Sequence, residues 1–273
     1  MKTVILDGPM GSELSRRGVD TSLPLWSARA LIDAPDAVRE IHASYAAAGA
    51  SHHRVNTFRA RRRTAGQGWE AMARRAVGLA REGVRGYAGA VVVGSVGPLE
   101  DCYRPDLAPP ADEARPEHEE LVRVLRDEGL DLILCETFPS AREAVVATEA
   151  CKRSGATTWV SLTGGPSGDV MTPGAMRAAA RDVVSAGADA VLVNCVAAEI
   201  VEPYLDAVAS AGVPFGVYAN ASRWNHPPVS VDRYVELARG WREHGASVVG
   251  CCCGTGPAYV HAIVEEIGAA RCA

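Results

Sequence analysis

Long apolar runs are missing from this chain of 273 residues. No run approaches the ~20 apolar residues that a membrane-spanning helix needs. The segment from Met1 to Asp7 also lacks the apolar core of ~7–15 residues that a secretory signal peptide carries. We therefore expect a cytoplasmic protein that does not associate with membranes.

A surplus of positive charge is missing too, since 28 lysines and arginines face 33 acidic residues and the net charge is -5. This balance gives no electrostatic footprint for nucleic acid, so we expect small molecules as partners. No Gly-x-Gly-x-x-Gly motif follows the first predicted strand, which argues against a dinucleotide-binding sheet. No lysine stands at a strand end, which argues against a Schiff-base aldolase on a barrel.

Cysteine is the residue that the chain has in unusual number and arrangement, with eight in total. In a reducing cytoplasm these residues are thiols or metal ligands rather than a disulfide framework. Four of them stand outside any motif, and we expect no role for Cys102, Cys135, Cys151 and Cys272.

Short β-branched runs alternate with longer helical patterns along the whole chain. Eight such βα units in about 270 residues are typical of a single-domain (β/α)8 barrel spanning residues 1–273, with a doubly wound sheet as the alternative. Several helical patterns stop at a glycine, as helix C-caps do. The predicted strands are Thr3–Leu6, His53–Thr57, Ala90–Ser95, Leu130–Cys135, Thr157–Leu162, Ala190–Asn194, Phe215–Ala219 and Ala246–Gly250. The predicted helices are Ala37–Ala48, Trp69–Tyr87, Glu117–Glu128, Ala141–Ser154, Pro173–Ala186, Ile200–Ala211, Val231–Glu243 and Ala258–Ile267.

Three adjacent cysteines, Cys251, Cys252 and Cys253, follow the last predicted strand and precede a glycine-rich turn into a helix. Cys195 follows another strand in the same way. Thiolates suit zinc, and catalytic zinc sites use three protein ligands. Neighbouring residues of a regular strand face opposite ways, so two adjacent cysteines can share a metal only where the strand has become a turn. The alternative is that these cysteines are small buried hydrophobes.

The carboxyl ends of barrel strands carry catalytic residues, and here they bring distant polar groups to one face. The groups at these strand ends are Asp7, Gly8, Asn56, Thr57, Ser95, Glu136, Thr137, Asn194, Cys195, Asn220 and the triple cysteine. Two carboxylates beside thiols suit the binding of an ammonium group, although an acid/base pair of a hydrolase is the alternative.

Other polar residues are assigned no role in the site. The basic run of Arg59, Arg61, Arg62 and Arg63 is expected to form a solvated loop or to hold an anion. Segment 104–115 is expected to be a loop or lid. We expect His52 and His53 to be structural and distant from the site. Four further histidines are expected on loops or helix surfaces, and these are His118, His226, His244 and His261.

The strand-end motifs resemble the homocysteine S-methyltransferase family over nearly the whole chain. The matching pieces are Asp7 to Leu14, Asn56-Thr57-Phe58, Gly94 to Pro98, Glu136-Thr137, Val193-Asn194-Cys195, Tyr218-Ala219-Asn220 and Gly250 to Thr255. The resemblance implies a zinc-binding (β/α)8 barrel that moves a methyl group onto the sulfur of homocysteine, giving methionine.

The same resemblance assigns residues to roles. It implies that Cys195, Cys252 and Cys253 hold Zn²⁺, and that the zinc activates the substrate thiol. Cys251 stands where the family usually has glycine, which leaves Cys251 as an alternative ligand. The resemblance implies that Asp7 and Glu136 bind the amino group of the acceptor. It assigns the remaining substrate contacts to Gly8, Thr57 and Asn194.

The function predicted from the sequence is methyl transfer from S-methylmethionine or S-adenosylmethionine to homocysteine. One alternative keeps this chemistry but uses another thiol or selenol as the acceptor, or a corrinoid or folate donor on a separate protein. A further alternative is a zinc-binding or thiol-sensing barrel without catalytic activity.

Overall fold

A computed structural model describes residues 3–223 and 225–268. The strands are β1 Val4–Ile5, β2 His52–Arg54, β3 Val91–Val96, β4 Leu132–Phe138, β5 Thr157–Leu162, β6 Ala190–Ala197, β7 Phe215–Asn220 and β8 Val248–Cys251. The helices are α1 Met10–Arg16, α2 Ala30–Asp33, α3 Pro35–Ala47, α4 Arg62–Ala65, α5 Trp69–Gly83, α6 Ala111–Asp127, α7 Ala141–Arg153, α8 Pro173–Ser185, α9 Glu202–Ala209, α10 Val231–Glu243 and α11 Pro257–Gly268.

The eight strands form one sheet in the order β1-β8-β7-β6-β5-β4-β3-β2, and every pair in it is parallel. A parallel bridge between Leu6 and His52 joins the two ends of the sheet, so the strands close into a barrel. Helices lie between successive strands, which confirms the predicted (β/α)8 barrel in a single domain.

Alternation along the strands divides the core into two layers. In β6, Val191 and Val193 pack in the large cluster shared with the helices, whereas Leu192 packs in a smaller cluster inside the barrel. The inner cluster also contains Cys195 and Cys252. Successive side chains of a strand face opposite sides, and both sides of this sheet are buried. The predicted site cysteines therefore belong to the barrel interior.

The helices end as the sequence predicts. Left-handed glycines with φ between 73° and 108° follow the helical patterns at Gly49, Gly129, Gly155, Gly187, Gly212 and Gly245. Only a residue without a Cβ adopts this conformation at little cost, which is why glycine recurs there. Within residues 3–223 and 225–268, no helix combines the length and apolar character that crossing a bilayer requires.

Several predicted boundaries were wrong, and those of β2 and α6 are two examples. β2 was expected to run to Thr57 but ends at Arg54, because the chain turns into the loop that carries Asn56 and Thr57. Segment 104–115 was expected to be a loop, but α6 already begins at Ala111 and contains Pro116. Asp112 and Glu113 lie in its first turn, where acidic residues stabilise the positive end of the helix dipole.

Glycine is required in β7 because the neighbouring strand passes close by. A Cβ added at Gly216 would lie 2.4 Å from the carbonyl oxygen of Val248 in β8, and a backbone atom cannot move aside without shifting the strand. By contrast, nothing lies within 4 Å of the corresponding position at Gly240, inside α10.

We predict that Gly216→Ala lowers the free energy of unfolding by about 1–3 kcal/mol, the usual cost of overpacking a core. Gly240→Ala is the matched control and should raise it by up to about 1 kcal/mol, because alanine favours a helix interior. Equilibrium denaturation of both variants measures the difference. Equal stability of the two variants would contradict the close packing of β7 on β8.

Candidate active site

The end of β8 turns two adjacent cysteines toward the same side. Cys251 is the last residue of the strand, and Cys252 and Cys253 follow it into a turn completed by the left-handed Gly254. The amide of Cys252 donates to the carbonyl oxygen of Ala219 at 2.9 Å. The amide of Cys253 donates to Oδ1 of Asn220 at 3.1 Å. The strand break that the sequence analysis required is therefore present and anchored by β7.

Bulges at the ends of β4 and β6 aim two further side chains into this region. The register shifts between Cys135 and Phe138 in β4 and between Asn194 and Ala197 in β6. Within the bulges Thr137 has φ 66° and Cys195 has φ 55°, values that residues other than glycine seldom adopt. Bulges of this kind redirect side chains near functional sites.

The thiols of Cys195, Cys252 and Cys253 lie within 4.8 Å of one another. The Sγ atoms of Cys195 and Cys252 are 3.1 Å apart. Three thiolates about 2.3 Å from a tetrahedral zinc stand about 3.8 Å from each other, so the group fits a soft metal ion. Hydrogen bonds from Cys195 and Cys252 lower the pKa of the Cys253 thiol well below its usual range, so one thiol of the group is readily ionised.

Cys251 lies apart from this group. Its side chain belongs to the outer core cluster, with Tyr234 and the helices, whereas Cys195 and Cys252 belong to the inner one. Burial raises the pKa of the Cys251 thiol to about 12. Strand alternation accounts for this, because Cys251 still belongs to regular β8 and faces away from the barrel axis.

An arginine whose side chain is 9% exposed, Arg54, stands between the two carboxylates predicted for the site. Nε of Arg54 donates to Oδ1 of Asp7 at 2.7 Å, and Nη1 donates to Oε2 of Glu136 at 3.2 Å. The hydroxyls of Ser95 and Tyr218 also donate to Glu136. Burial raises the pKa of Glu136, although Arg54 opposes the shift.

Sequence reasoning missed Arg54. The available signal was its position inside a predicted β-branched strand, where the sequence analysis considered only the strand ends. Because His53 faces the helices, the next residue faces the barrel interior, and a charge there needs opposite charges close by.

One cavity of about 390 Å³ connects the thiols with this charged cluster. Among the predicted substrate contacts, Gly8, Glu136 and Asn194 line it, whereas Asp7 and Thr57 are buried behind its wall. The hydroxyl of Thr57 donates to the carbonyl oxygen of Ser95 at 2.6 Å. The cavity is lined by Gly8, Pro9, Met10, Leu23, Trp26, Ser27, Arg54, Val55, Asn56, Phe58, Arg59, Ser95, Asp101, Cys102, Tyr103, Glu136, Thr137, Asn194, Cys195, Cys252 and Cys253.

Asn194 joins the cavity wall to the thiols. Its Nδ2 donates to the hydroxyl of Thr137 at 2.7 Å and to Sγ of Cys195 at 3.3 Å, while its Oδ1 accepts from Ser161. An amide held on both sides in this way has one orientation. Asn194 therefore orients a candidate ligand in addition to its predicted contact with substrate.

Two expectations about charged residues were wrong. Arg61 was assigned to a solvated loop, but it is 3% exposed and donates from Nη1 to the carbonyl oxygens of Gly97 and Pro98. His118 was expected on a surface, but it is 1% exposed and lies 3.2 Å from the carboxylate of Glu143. Arg61 ties the loop after β2 to the loop after β3, and His118 ties α6 to α7.

The cysteines outside the motifs have different surroundings. Cys102 lines the cavity, although the sequence analysis gave it no role. The Sγ atoms of Cys135 and Cys151 are 3.5 Å apart in the outer core. Cys272 lies outside the described residues.

One known protein family matches nearly the whole chain, including the strand ends that carry these residues. The family model for homocysteine S-methyltransferase matches residues 4–267. The chain belongs to the homocysteine S-methyltransferase family. It is therefore a methyltransferase, and the resemblance stated from its strand-end motifs is confirmed.

Relatives in this family differ in the acceptor and donor that their names give. The chain is 30% identical to homocysteine S-methyltransferase of Escherichia coli K12, over 95% of this chain and 94% of the relative. It is 29% identical to S-methylmethionine–homocysteine S-methyltransferase of Pongo abelii, over 99% and 80%. It is 24% identical to selenocysteine methyltransferase of Astragalus bisulcatus, over 99% and 94%.

Solved structures of the family share the fold. The metallated form of the homocysteine methyltransferase MmuM from Escherichia coli superposes with a TM-score of 0.83 at 27% identity, covering 97% of this chain and 96% of that one. The oxidized form of the same enzyme gives a TM-score of 0.82 at 29% identity with the same coverage.

His42 and His53 form a buried pair beside Asp7, closer to the site than the sequence analysis expected for His53. Ligand atoms of the three residues lie within 4.8 Å of one another. Within the described residues, both ring nitrogens of His42 are buried and without a hydrogen-bond partner. Burial lowers the pKa of His42 to about 4, although the charge of Asp7 acts against the shift.

We predict that His42 makes the protein less stable as the pH falls. Its pKa is about 4 in the folded protein, against the ordinary histidine value of 6.5, so below pH 6.5 the unfolded chain binds the proton first. Between about pH 7 and pH 5 this one group should remove about 2 kcal/mol from the free energy of unfolding. His42→Phe should lose correspondingly less over the same range.

Urea denaturation at a series of pH values measures this effect. His261→Phe is the control, because the His261 side chain is 61% exposed and should leave the pH dependence unchanged. A wild-type slope equal to that of His42→Phe would show that the imidazole has the same pKa in the folded and the unfolded protein.

Proposed function

We propose that the protein transfers a methyl group from a sulfonium donor to the thiolate of a small acceptor of the homocysteine class, with Zn²⁺ as its metal. The observation that supports this proposal is the position of three thiols on the wall of a cavity that also contains Glu136 and Gly8. Family membership supports the reaction class, and the thiol group supports the metal.

Cys195, Cys252 and Cys253 are the residues that would hold Zn²⁺. All three possible ligand atoms of this group are cysteine sulfurs, and thiolates prefer zinc to magnesium or calcium. When bound, Zn²⁺ would lower the pKa of the acceptor thiol, which otherwise is near 8.5 and leaves little thiolate at neutral pH. A cytoplasmic location, as expected from the sequence, would keep the three cysteines reduced.

The cavity wall provides the alignment that methyl transfer needs. Trp26 and Phe58 stand edge to face with ring centroids 5.7 Å apart, and both line the cavity with Tyr103. Aromatic faces attract a sulfonium cation and exclude water from the reacting atoms. Three anionic ligands at the cavity floor attract the same cation, whose charge disappears as the methyl group leaves. Holding donor and acceptor together in this space supplies proximity.

A selenol is the second candidate acceptor. A selenocysteine methyltransferase is among the relatives that match 99% of this chain. The same thiol group and cavity serve either nucleophile, because selenol and thiol differ little in size and both bind zinc as anions. The donor is proposed by analogy with the relative from Pongo abelii, and S-adenosylmethionine is the other sulfonium to test.

An assay of the reduced, zinc-loaded protein tests this function. Homocysteine is offered with S-methylmethionine, with S-adenosylmethionine, and with no donor, and methionine is measured by mass spectrometry with a labelled methyl group. Labelled methionine should form with at least one sulfonium donor. Tight zinc binding without methyl transfer to any thiol or selenol would indicate the sensor alternative.

We predict that Cys195→Ala, Cys252→Ala and Cys253→Ala each lower bound zinc from about one per chain to below about a tenth, since three ligands are the minimum for a catalytic site. Methyl transfer should fall at least ~100-fold in each variant. Cys251→Ala is the matched control and should keep its zinc, because its thiol faces the helices. Metal analysis after gel filtration decides, and full zinc retention in all three variants would reject the ligand set.

A further inference from the structure

Arg54 makes more polar contacts than any other side chain near the cavity. Its Nη2 donates to the carbonyl oxygens of Asp7, Gly8 and Cys251 at 3.0, 3.1 and 3.2 Å. Its Nε and Nη1 reach the two carboxylates, and its guanidinium lies 4.7 Å from the ring centroid of Tyr218. With three backbone partners and two carboxylates, this cation is a fixed part of the site.

The guanidinium of Arg54 pairs with both carboxylates that the sequence analysis assigned to the ammonium group of the acceptor. Oδ1 and Oδ2 of Asp7 accept from Nε and the backbone amide of Arg54 at 2.7 and 3.0 Å. Oε1 of Glu136 accepts from Ser95, and Oε2 accepts from Arg54 and Tyr218. Each carboxylate oxygen thus already has a donor, and the space between the two groups is filled.

An ammonium group at this place would stand beside the like charge of the Arg54 guanidinium, which already pairs with both carboxylates. It would reach Glu136 at most, because Asp7 is 2% exposed and lies behind Arg54. The guanidinium beside Glu136 would repel it within a few ångströms, in a buried site where water screens charges poorly. The Arg54 guanidinium therefore repels an acceptor that carries an ammonium group, and such repulsion is one way in which binding sites exclude wrong ligands.

The same arginine offers a donor to an oxygen. Nη1 carries two hydrogens, and across residues 3–223 and 225–268 its one hydrogen-bond acceptor is Glu136. Arg54 lines the cavity that holds the three thiols, so the remaining N–H is available to a ligand there. A hydroxyl, carbonyl or carboxylate oxygen can accept it.

We propose that Arg54 determines acceptor specificity, and that the preferred acceptor is a small thiol carrying an oxygen group and no ammonium group. This rests on the proposed thiol methyl transfer and narrows its acceptor. The reaction itself is unchanged: the sulfur–methyl bond forms as the donor sulfonium–methyl bond breaks, the donor leaves as a neutral thioether, and the acceptor thiol loses its proton.

Two matched pairs of acceptors isolate the ammonium group. The first pair is homocysteine and its desamino analogue, which keeps the carboxylate. The second pair is aminopropanethiol and mercaptopropanol, which differ in ammonium against hydroxyl and carry no carboxylate. In each pair the wild-type kcat/KM should favour the ammonium-free thiol by ~10-fold or more, with most of the difference in KM. Comparing the two ammonium-free thiols distinguishes a carboxylate from a neutral oxygen.

Variants of Arg54 test whether its positive charge causes the preference for ammonium-free acceptors. Arg54→Gln removes the cation and frees Asp7 and Glu136, so the preference within each pair should fall at least ~10-fold or reverse. Arg54→Lys restores a cation and should restore the wild-type preference. Arg61→Gln is the matched control, because Arg61 is also a buried arginine bonded to carbonyl oxygens but does not line the cavity, and it should leave the ratios unchanged.

The outcomes separate this inference from the proposed function. Methyl transfer with homocysteine preferred in the wild type, or with ratios that Arg54→Gln leaves unchanged, would overturn the role of Arg54 while the function stands. Absence of transfer to all four acceptors would reject the function. Calorimetric titration of the zinc-loaded protein with the same four thiols then decides the binding preference without turnover. The same titration serves if Arg54→Gln does not fold, since equal wild-type affinities within each pair would also overturn the role.

Discussion

The site depends on three interruptions of regular strand geometry, at the ends of β4, β6 and β8. A parallel strand presents alternate residues to opposite faces, so adjacent cysteines on β8 would be separated by the sheet. The turn after Cys251 and the bulge at Cys195 bring thiols from residues 57 positions apart to 3.1 Å. The left-handed conformation of Cys195 costs about 1–3 kcal/mol, and its neighbours in the bulge must hold it.

Most of the fold could be predicted from the sequence, because local chemistry determines it. β-Branched runs specify most of the eight strands, although β2 is His-His-Arg, and the left-handed glycines after the helices have no alternative residue of equal freedom. The convergence of Asn194, Cys195, Cys252 and Cys253 also follows from the barrel alone, since its strands all end at the same rim. Boundaries were less predictable: α6 begins six residues before its predicted start at Glu117.

The parts that could not be predicted are charges buried by distant partners. Arginine and histidine are normally exposed, so composition assigns Arg54, Arg61 and His118 to the surface or to no role. Their burial depends on partners elsewhere in the chain: Glu136 lies 82 residues from Arg54, and Pro98 lies 37 from Arg61. The bulges could not be predicted either, because the residues with a left-handed backbone there are Thr137 and Cys195 and not glycines.

The pairing of β1 with β8 has a consequence for how the site forms during folding. β8 completes the ring beside β1, and Arg16 of α1 bonds to the carbonyl oxygen of Thr255, a residue 239 positions later. Cys252 and Cys253 follow β8, the last of the eight strands, so the thiol group is incomplete until this strand joins the ring. Until β8 pairs with β1 and β7, the thiols of Cys195, Cys252 and Cys253 cannot act as one group.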